Sequence, residues 1–506
     1  MPLARSWSVG LVGLDGQVVE VEADLAQGLP GLTIIGLPDA SLAESRDRIR
    51  AAIVNSGQSW PQRRVTLALS PAALPKRGSS FDLAMAAAVL AADGVVPAAA
   101  LAGRVLIGEL GLNGAVRPVR GVLPALLTAL RSGVRRAVVP GGNVHEARLL
   151  PDLDVTSVAS LADLVRLLTG QDYETGDPGV VAGPDLATGP DMLDVAGQPA
   201  GRTAMEVAAA GGHHVLLLGP PGAGKTMLAE RLPGLLPDLS LDAALDVTAV
   251  HSVAGLLPSG QPLVTRPPFQ DPHHTATVAS IVGGGSGVAR PGAASLAHHG
   301  VLFLDEAPEF GRGVLDALRQ PLEKGSLSIT RVGGTAVYPA QFTLVLAANH
   351  CPCAKANGCS CAPDARRRYL ARLSGPLRDR IDLHIELPAV GRADLLAEGG
   401  RGEPSADIAA RVRGAREQAA MRLRGTPWQV NGAVPPVEFR RRWPLPRSVT
   451  GLADQAVDQG MLTARGYGRV LRLAWTLADL AGAPSPRSEH VGHALGYRVG
   501  HLAAAA

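Results

Sequence analysis

The run Gly219-Pro220-Pro221-Gly222-Ala223-Gly224-Lys225-Thr226 constrains this 506-residue chain more than any other feature. It follows the apolar stretch His214-Val215-Leu216-Leu217-Leu218 and leads into a helical pattern. Strand, glycine-rich loop and helix in that order converge backbone N–H groups on phosphate oxygens at a helix N-terminus, where the dipole also favours negative charge. Lys225 is expected to reach the β and γ phosphates of a nucleotide, and the Thr226 hydroxyl to bind Mg²⁺. Lysine occurs only four times, at Lys76, Lys225, Lys324 and Lys355. One of them at this motif position is therefore informative, and an ordinary glycine-rich turn is the weaker reading.

Two further strands complete the pattern. Val301-Leu302-Phe303-Leu304 ends in Asp305-Glu306, where Asp305 would hold Mg²⁺ through water and Glu306 would polarise the attacking water. An apolar strand ending in two acids is commonplace alone and significant beside the loop. Phe342-Thr343-Leu344-Val345-Leu346-Ala347-Ala348 ends at Asn349, a side chain placed either to orient that water or simply to cap a turn.

Together with Ser374-Gly375-Pro376-Leu377-Arg378-Asp379-Arg380-Ile381-Asp382-Leu383, these motifs resemble an AAA+ ATPase of the magnesium-chelatase-like group. More closely, the chain resembles the ComM/YifB family. The runs Gly36-Leu37-Pro38-Asp39, Pro75-Lys76-Arg77-Gly78-Ser79-Ser80-Phe81-Asp82-Leu83, Pro272-His273-His274-Thr275 and Ser295-Leu296-Ala297-His298 carry that likeness. The resemblance implies an α/β protein: a Lon-protease-like α+β domain over 1–172, a linker over 173–190, a P-loop AAA+ core over 191–388 and a helical lid over 389–506. It also implies an ATP-driven ring, usually a hexamer, in which Arg380 completes a neighbour's site; the alternative is a structural Arg380 to Asp382 pair. Arg465 matches the second sensor, with Arg469 its rival. The activity implied is DNA branch migration on branched or single-stranded DNA without sequence preference. A magnesium-chelatase motor acting on a porphyrin-binding partner is the alternative, and the N-terminal module argues for the first.

A Lon-like domain raises the question of proteolysis. Ser80 stands where the nucleophile would fall, but the matching position for the lysine is Ala125, and no lysine lies between Lys76 and Lys225. A serine hydroxyl without a base is not activated, so a binding or assembly role is expected. All four cysteines, Cys351, Cys353, Cys359 and Cys361, fall in one loop, 351–361. Four thiolates suit tetrahedral Zn²⁺; reduced thiols and redox disulfides are the alternatives. His273-His274 and His298-His299 read as structural, Asp271 being the only acid near either pair in sequence.

Charge nearly balances, with 48 basic and 45 acidic residues, so any contact with a polyanion must be local. Arg366-Arg367-Arg368, Arg411 to Arg424 and Arg440-Arg441-Arg442 read as solvated helix faces. Lys324 and Arg331, in a hairpin predicted around Leu327–Val337, are the better candidates for DNA phosphates, which need only positive charge and N–H groups. Hydrophobic content is 46%, but the most apolar stretch, Leu83 to Gly103, is cut by Asp93, Gly94 and Pro97, short of the ~18 unbroken residues a spanning helix needs. Near the start, Asp15-Gly16 reads as a turn and no cleavage site follows, so a cytoplasmic protein is expected.

Overall fold

Alternation of apolar and polar residues dictates the first sheet. The computed structural model describes residues 3–36, 40–72, 76, 78–177, 179, 189–257, 262–285, 289–331, 334–353, 355, 359–391 and 402–499. Strands β1 (Leu3–Val12), β2 (Asp15–Ala26), β3 (Gly31–Ile35), β4 (Arg64–Ser70), β5 (Arg104–Leu106), β8 (Arg136–Pro140) and β9 (Asp154–Val158) form one mixed sheet in the order β3-β4-β2-β1-β5-β8-β9. A small ribbon, β6 (Glu109–Leu110) with β7 (Val116–Arg117), lies apart. On β2, Val19, Val21 and Ala23 enter one core with the helix Asp82–Ala92, whereas Val18 packs on the opposite face with Val122–Arg131. The alanine-rich helix at the start of the long apolar run is thus buried in protein. Among the described residues no helix is long and apolar enough to cross a membrane.

The β1–β2 turn falls at Gly13-Leu14, not at Asp15-Gly16, which belong to β2 and pair with β1. Gly13, at φ +70°, supplies the left-handed residue the turn needs. Leu37, Pro38, Asp39, Pro75, Arg77 and 180–188 of the linker lie outside the described residues. The linker's first residues are docked rather than free: Tyr173 packs on the first core and Asp177 pairs with Arg148.

The second sheet is wholly parallel. Its strands β10 (Val215–Leu218), β11 (Phe269–Gln270), β12 (Val301–Leu304), β15 (Thr343–Ala348) and β16 (Leu383–Glu386) stand in the order β11-β12-β15-β10-β16. All four residues of β10 and of β12 are buried, as continuous apolar runs covered on both faces should be. The hairpin is present as β13 (Ser326–Arg331) with β14 (Gly334–Pro339); its tip, 332–333, is outside the described residues. Lys324 is not in it. That lysine ends the preceding helix Arg319–Lys324, which Gly325 terminates in the left-handed conformation. Helices Ser405–Leu423, Pro436–Arg442, Arg447–Asp458, Ala464–Leu480 and Ser488–Val499 follow.

Buried polar groups tie these parts together. Asp382 is 1% exposed and meets Arg469 at 2.6 Å, His213 at 3.1 Å and Arg472 at 3.3 Å. The two arginines and the histidine hydrogen bond hold its carboxyl well below the usual range against the cost of burial. Asp382 therefore joins the last parallel strand to the helix Ala464–Leu480, and removing it would leave two buried guanidinium groups uncompensated. Between the first sheet and the core, Ser252 donates to Glu146 at 2.6 Å, and Val12 and Leu14 pack on the hairpin residues Ile329, Ala336 and Tyr338.

His298, 3% exposed, accepts the Gln341 backbone N–H through Nδ1, and burial pushes its pKa down to about 3. An unfolded histidine titrates near ~6.5, so the neutral folded form is favoured above that pH. Its contribution is lost as pH falls from there toward 3. His298 should therefore remove about 2 kcal/mol of stability between pH 7 and pH 5. His298→Asn, which retains an acceptor, should flatten the pH dependence of thermal unfolding in that window; an unchanged slope would contradict the assignment.

Candidate nucleotide site and cysteine centre

Strand register assembles the site. Leu218 pairs with Ala348, and Leu304 with Leu346, so the residues following β10, β12 and β15 emerge at one sheet edge. Gly222 and Gly224 adopt φ +75° and +80°, and a Cβ on either would meet open space. Backbone conformation, not crowding, thus requires glycine there. Gly219 is different: a Cβ would approach the Leu387 carbonyl oxygen at 2.7 Å.

Lys225 opens the helix Lys225–Leu235 and is 8% exposed. Its Nζ donates to the carbonyls of Gly219 (2.8 Å) and Pro220 (2.9 Å) and to Asn349 Oδ1 (3.0 Å). Burial lowers its pKa, opposed by Asp305 and Glu306. Thr226 Oγ1 donates to Asp305 Oδ2 at 2.7 Å, while Asp305 Oδ1 accepts the Glu306 N–H at 2.8 Å. Glu306 stands at φ +50°, a conformation a non-glycine residue seldom adopts. Lys225, Thr226, Asp305 and Asn349 are thus one connected set, and a group bearing phosphate and a divalent cation fits its donors and carboxylate.

Sequence proximity misled at the histidines. His274 Nδ1 lies 3.5 Å from Glu306 Oε2, so the acid near this pair is Glu306. Asp246 gathers with His298 and His299, because the helix Leu241–Ala254 packs beside them. That second cluster is a poor metal site: His298 Nδ1 already accepts a backbone N–H, so its other nitrogen carries the hydrogen.

Arg380 lies apart from this set. Its guanidinium pairs with Glu323 and donates to Pro376 O at 2.5 Å. It does not pair with Asp382, whose partners are named above. Arg380 is depressed by burial and by Arg319, Arg465 and Arg469, so Arg465 lies within electrostatic reach of it. Arg465 is exposed, whereas Arg469 is committed to Asp382 and the Arg380 carbonyl. In the first domain Ser79 pairs with Glu109, Asp82 with Arg48 and Ser45, and Lys76 with the Pro71 carbonyl; Ala125 is buried in its helix.

The four cysteines converge. Cys351 Sγ is 3.0 Å from Cys353 Sγ and 3.2 Å from Cys359 Sγ, and the four sulfurs lie within 4.8 Å of one another, all unbonded. Tetrahedral zinc thiolate at ~2.3 Å places sulfurs about 3.8 Å apart, so the cluster can hold Zn²⁺ with small outward shifts. The Cys361 backbone N–H and neighbouring thiols hold Cys359 down to about 6, whereas burial pushes Cys351 up to about 12. Protein purified under reducing conditions should carry about one zinc per chain, and Cys353→Ser should at least halve it; metal-free protein with four reactive thiols would contradict this.

Three family models match successive parts of the chain: "Subunit ChlI of Mg-chelatase" over 21–143, "Magnesium chelatase, subunit ChlI" over 191–395 and "Magnesium chelatase, subunit ChlI C-terminal" over 402–498. An uncharacterized protein of Mycobacterium tuberculosis (strain H37Rv) is 52% identical over 98% of this chain and 99% of its own length. Competence protein ComM of Haemophilus influenzae is 39% identical over 98% of each, and the uncharacterized protein YifB of Escherichia coli 39% over 96% and 95%. Lon protease of Mycolicibacterium smegmatis is 31% identical over 31% of this chain and 21% of its own, in keeping with a Lon-like first domain. Its parallel core, its helical C-terminal part and full-length likeness to these proteins make one family: the chain belongs to the ComM/YifB group of magnesium-chelatase ChlI-like AAA ATPases.

Proposed function

We propose that this ATPase is the subunit of a homo-oligomeric ring, a hexamer, that acts on DNA as a branch-migration helicase or translocase. One observation carries the reading. In the helix Arg319–Lys324, Glu323 holds Arg380, Lys324 is exposed, and the chain then runs directly into the hairpin bearing exposed Arg331. A basic surface suited to DNA phosphates is thus joined to the arginine we assign to the neighbour's nucleotide. A net charge of +3 spread over the whole chain is weak, but a ring repeats Lys324 and Arg331 around one axis.

MgATP, when bound, supplies the phosphoanhydride whose hydrolysis drives movement. Lys225 would donate to phosphate oxygens, and Thr226 and Asp305 would hold the cation. Glu306 takes the proton of the attacking water, which Asn349 orients. His274, against Glu306, ties the segment after β11 to that carboxylate. Arg380, released from Glu323, faces charge developing in the adjacent subunit, with exposed Arg465 beside it in the second-sensor role. We assign 1–172 as a non-proteolytic assembly module, 173–190 as linker, 191–388 as the ATPase core with its zinc loop, and 389–506 as the lid.

A chelatase motor acting on a porphyrin-binding partner is the second reading. The first domain does not discriminate against it as expected from sequence, because the model matching 21–143 also carries the name of subunit ChlI. Full-length similarity to a competence protein favours the first.

Glu306→Gln should bind ATP and stop turnover, because the amide keeps the shape without the base; full turnover would contradict the role. Arg380→Ala should lower kcat by roughly 10³-fold, and mixing it with Glu306→Gln protein should restore activity at mixed interfaces. No recovery in demonstrably mixed rings would refute action across the boundary. DNA should stimulate wild-type ATPase, and a Lys324→Ala/Arg331→Ala double variant should lose junction movement and salt-sensitive DNA binding while keeping basal turnover. Stimulation by a porphyrin-binding partner, with none by DNA, would favour the second reading.

A further inference from the structure

Three of the five tryptophans, Trp428, Trp443 and Trp475, collect in the C-terminal helices of a chain only 3% aromatic. A cavity of about 170 Å³ is lined by Phe439, Arg440, Trp443, Tyr467, Leu471 and Trp475; of these Phe439 is fully buried, Trp443 partly exposed and Arg440 exposed. The Phe439 ring lies 5.4 Å from that of Trp443 and 6.3 Å from that of Trp475. The outer face of Trp475 is taken by Arg422, whose guanidinium sits 4.4 Å from the ring centre.

Size, charge and rigidity together limit what such a cavity accepts. Sites for drug-sized ligands begin near ~300 Å³, so this one takes a single ring system. From Pro436 to Arg447 there are four arginines and one acid, Glu438. Glu438 is shared by Arg441 and Arg442, and Arg440 makes no ion pair among the described residues. Against the Asp454 carboxylate beside Thr450 and Tyr467, Arg440 and the neighbouring arginines leave this lining net positive, which favours an anionic occupant. Pro444 and Pro446 restrict the backbone beside Trp443, so little ordering is needed on binding. Thr450 supplies a polar edge, its hydroxyl donating to Asp454 at 2.9 Å.

We propose that this cavity receives one unpaired nucleobase of single-stranded DNA, stacked against the partly exposed Trp443, with Arg440 on the adjacent phosphate. The inference rests on the DNA reading above and gives the lid its own contact with the strand. Stacking on an aromatic side chain tolerates any base, and a base still paired in a duplex cannot enter.

The test uses the full chain with a labelled oligo-dT strand and a duplex of equal length, followed by fluorescence anisotropy at several salt concentrations. Trp443→Ala should weaken single-strand binding about tenfold, Trp443→Phe should retain most of it, and Arg440→Ala should weaken it and reduce the salt slope by about one. Duplex binding and basal ATPase should be unchanged in all three. Should Trp443→Ala fail to fold, Arg440→Ala and the persistence of binding in Trp443→Phe still decide. Wild-type affinity in Trp443→Ala and Arg440→Ala, alongside loss in the Lys324→Ala/Arg331→Ala variant, would overturn the cavity and leave the DNA reading standing. Impaired ring assembly with unaltered DNA binding would assign the cavity to a neighbouring subunit instead. If wild-type protein binds no DNA at all, both readings fall.

Discussion

The side-by-side pairing of β10 and β15 is the constraint on which the nucleotide site depends. Because Leu218 pairs with Ala348, the loop after one strand and Asn349 after the other must meet, and Lys225 is held between them. A lysine this buried needs oxygen partners, and it takes two backbone carbonyls and Asn349. Lys225 thereby couples the end of β10 to the side chain at the end of β15.

A second linkage runs through Arg380. Its partner Glu323 belongs to the helix that ends at Lys324 and leads into the hairpin. Packing of Val12 and Leu14 on Ile329, Ala336 and Tyr338 extends the linkage to the first sheet. The Lon-like part thus contacts the hairpin directly.

The loop 219–226, the acids Asp305-Glu306 and the strand leading to Asn349 were legible in the sequence because each rests on local chemistry: glycine conformation, strand burial and spacing. The cysteine cluster was legible for a different reason, since four thiols confined to one short loop cannot lie far apart. What could not be read were contacts between residues distant along the chain. His274 against Glu306, Asp246 beside His298, and Arg380 on Glu323 rather than Asp382 are set by how helices pack on the sheet, and no periodicity encodes them. Lys324 was misplaced by two residues of context, because Gly325 ends the helix before the hairpin begins. The aromatic cavity was hidden for the same reason: Phe439 comes from the helix Pro436–Arg442, and Tyr467 and Trp475 from Ala464–Leu480.

The central claim is that nucleotide, neighbouring subunit and DNA are linked through Arg380 and the helix carrying Glu323 and Lys324. Imaging the assembled protein with a non-hydrolysable ATP analogue and a four-way DNA junction tests it most directly. A closed ring should show Arg380 off Glu323 and facing the nucleotide of the adjacent subunit, Lys225 on phosphate rather than on Asn349, and DNA running past Lys324 and Arg331. A ring with nucleotide at its interfaces, Arg380 still on its own Glu323 and DNA nowhere near the hairpin would contradict the account.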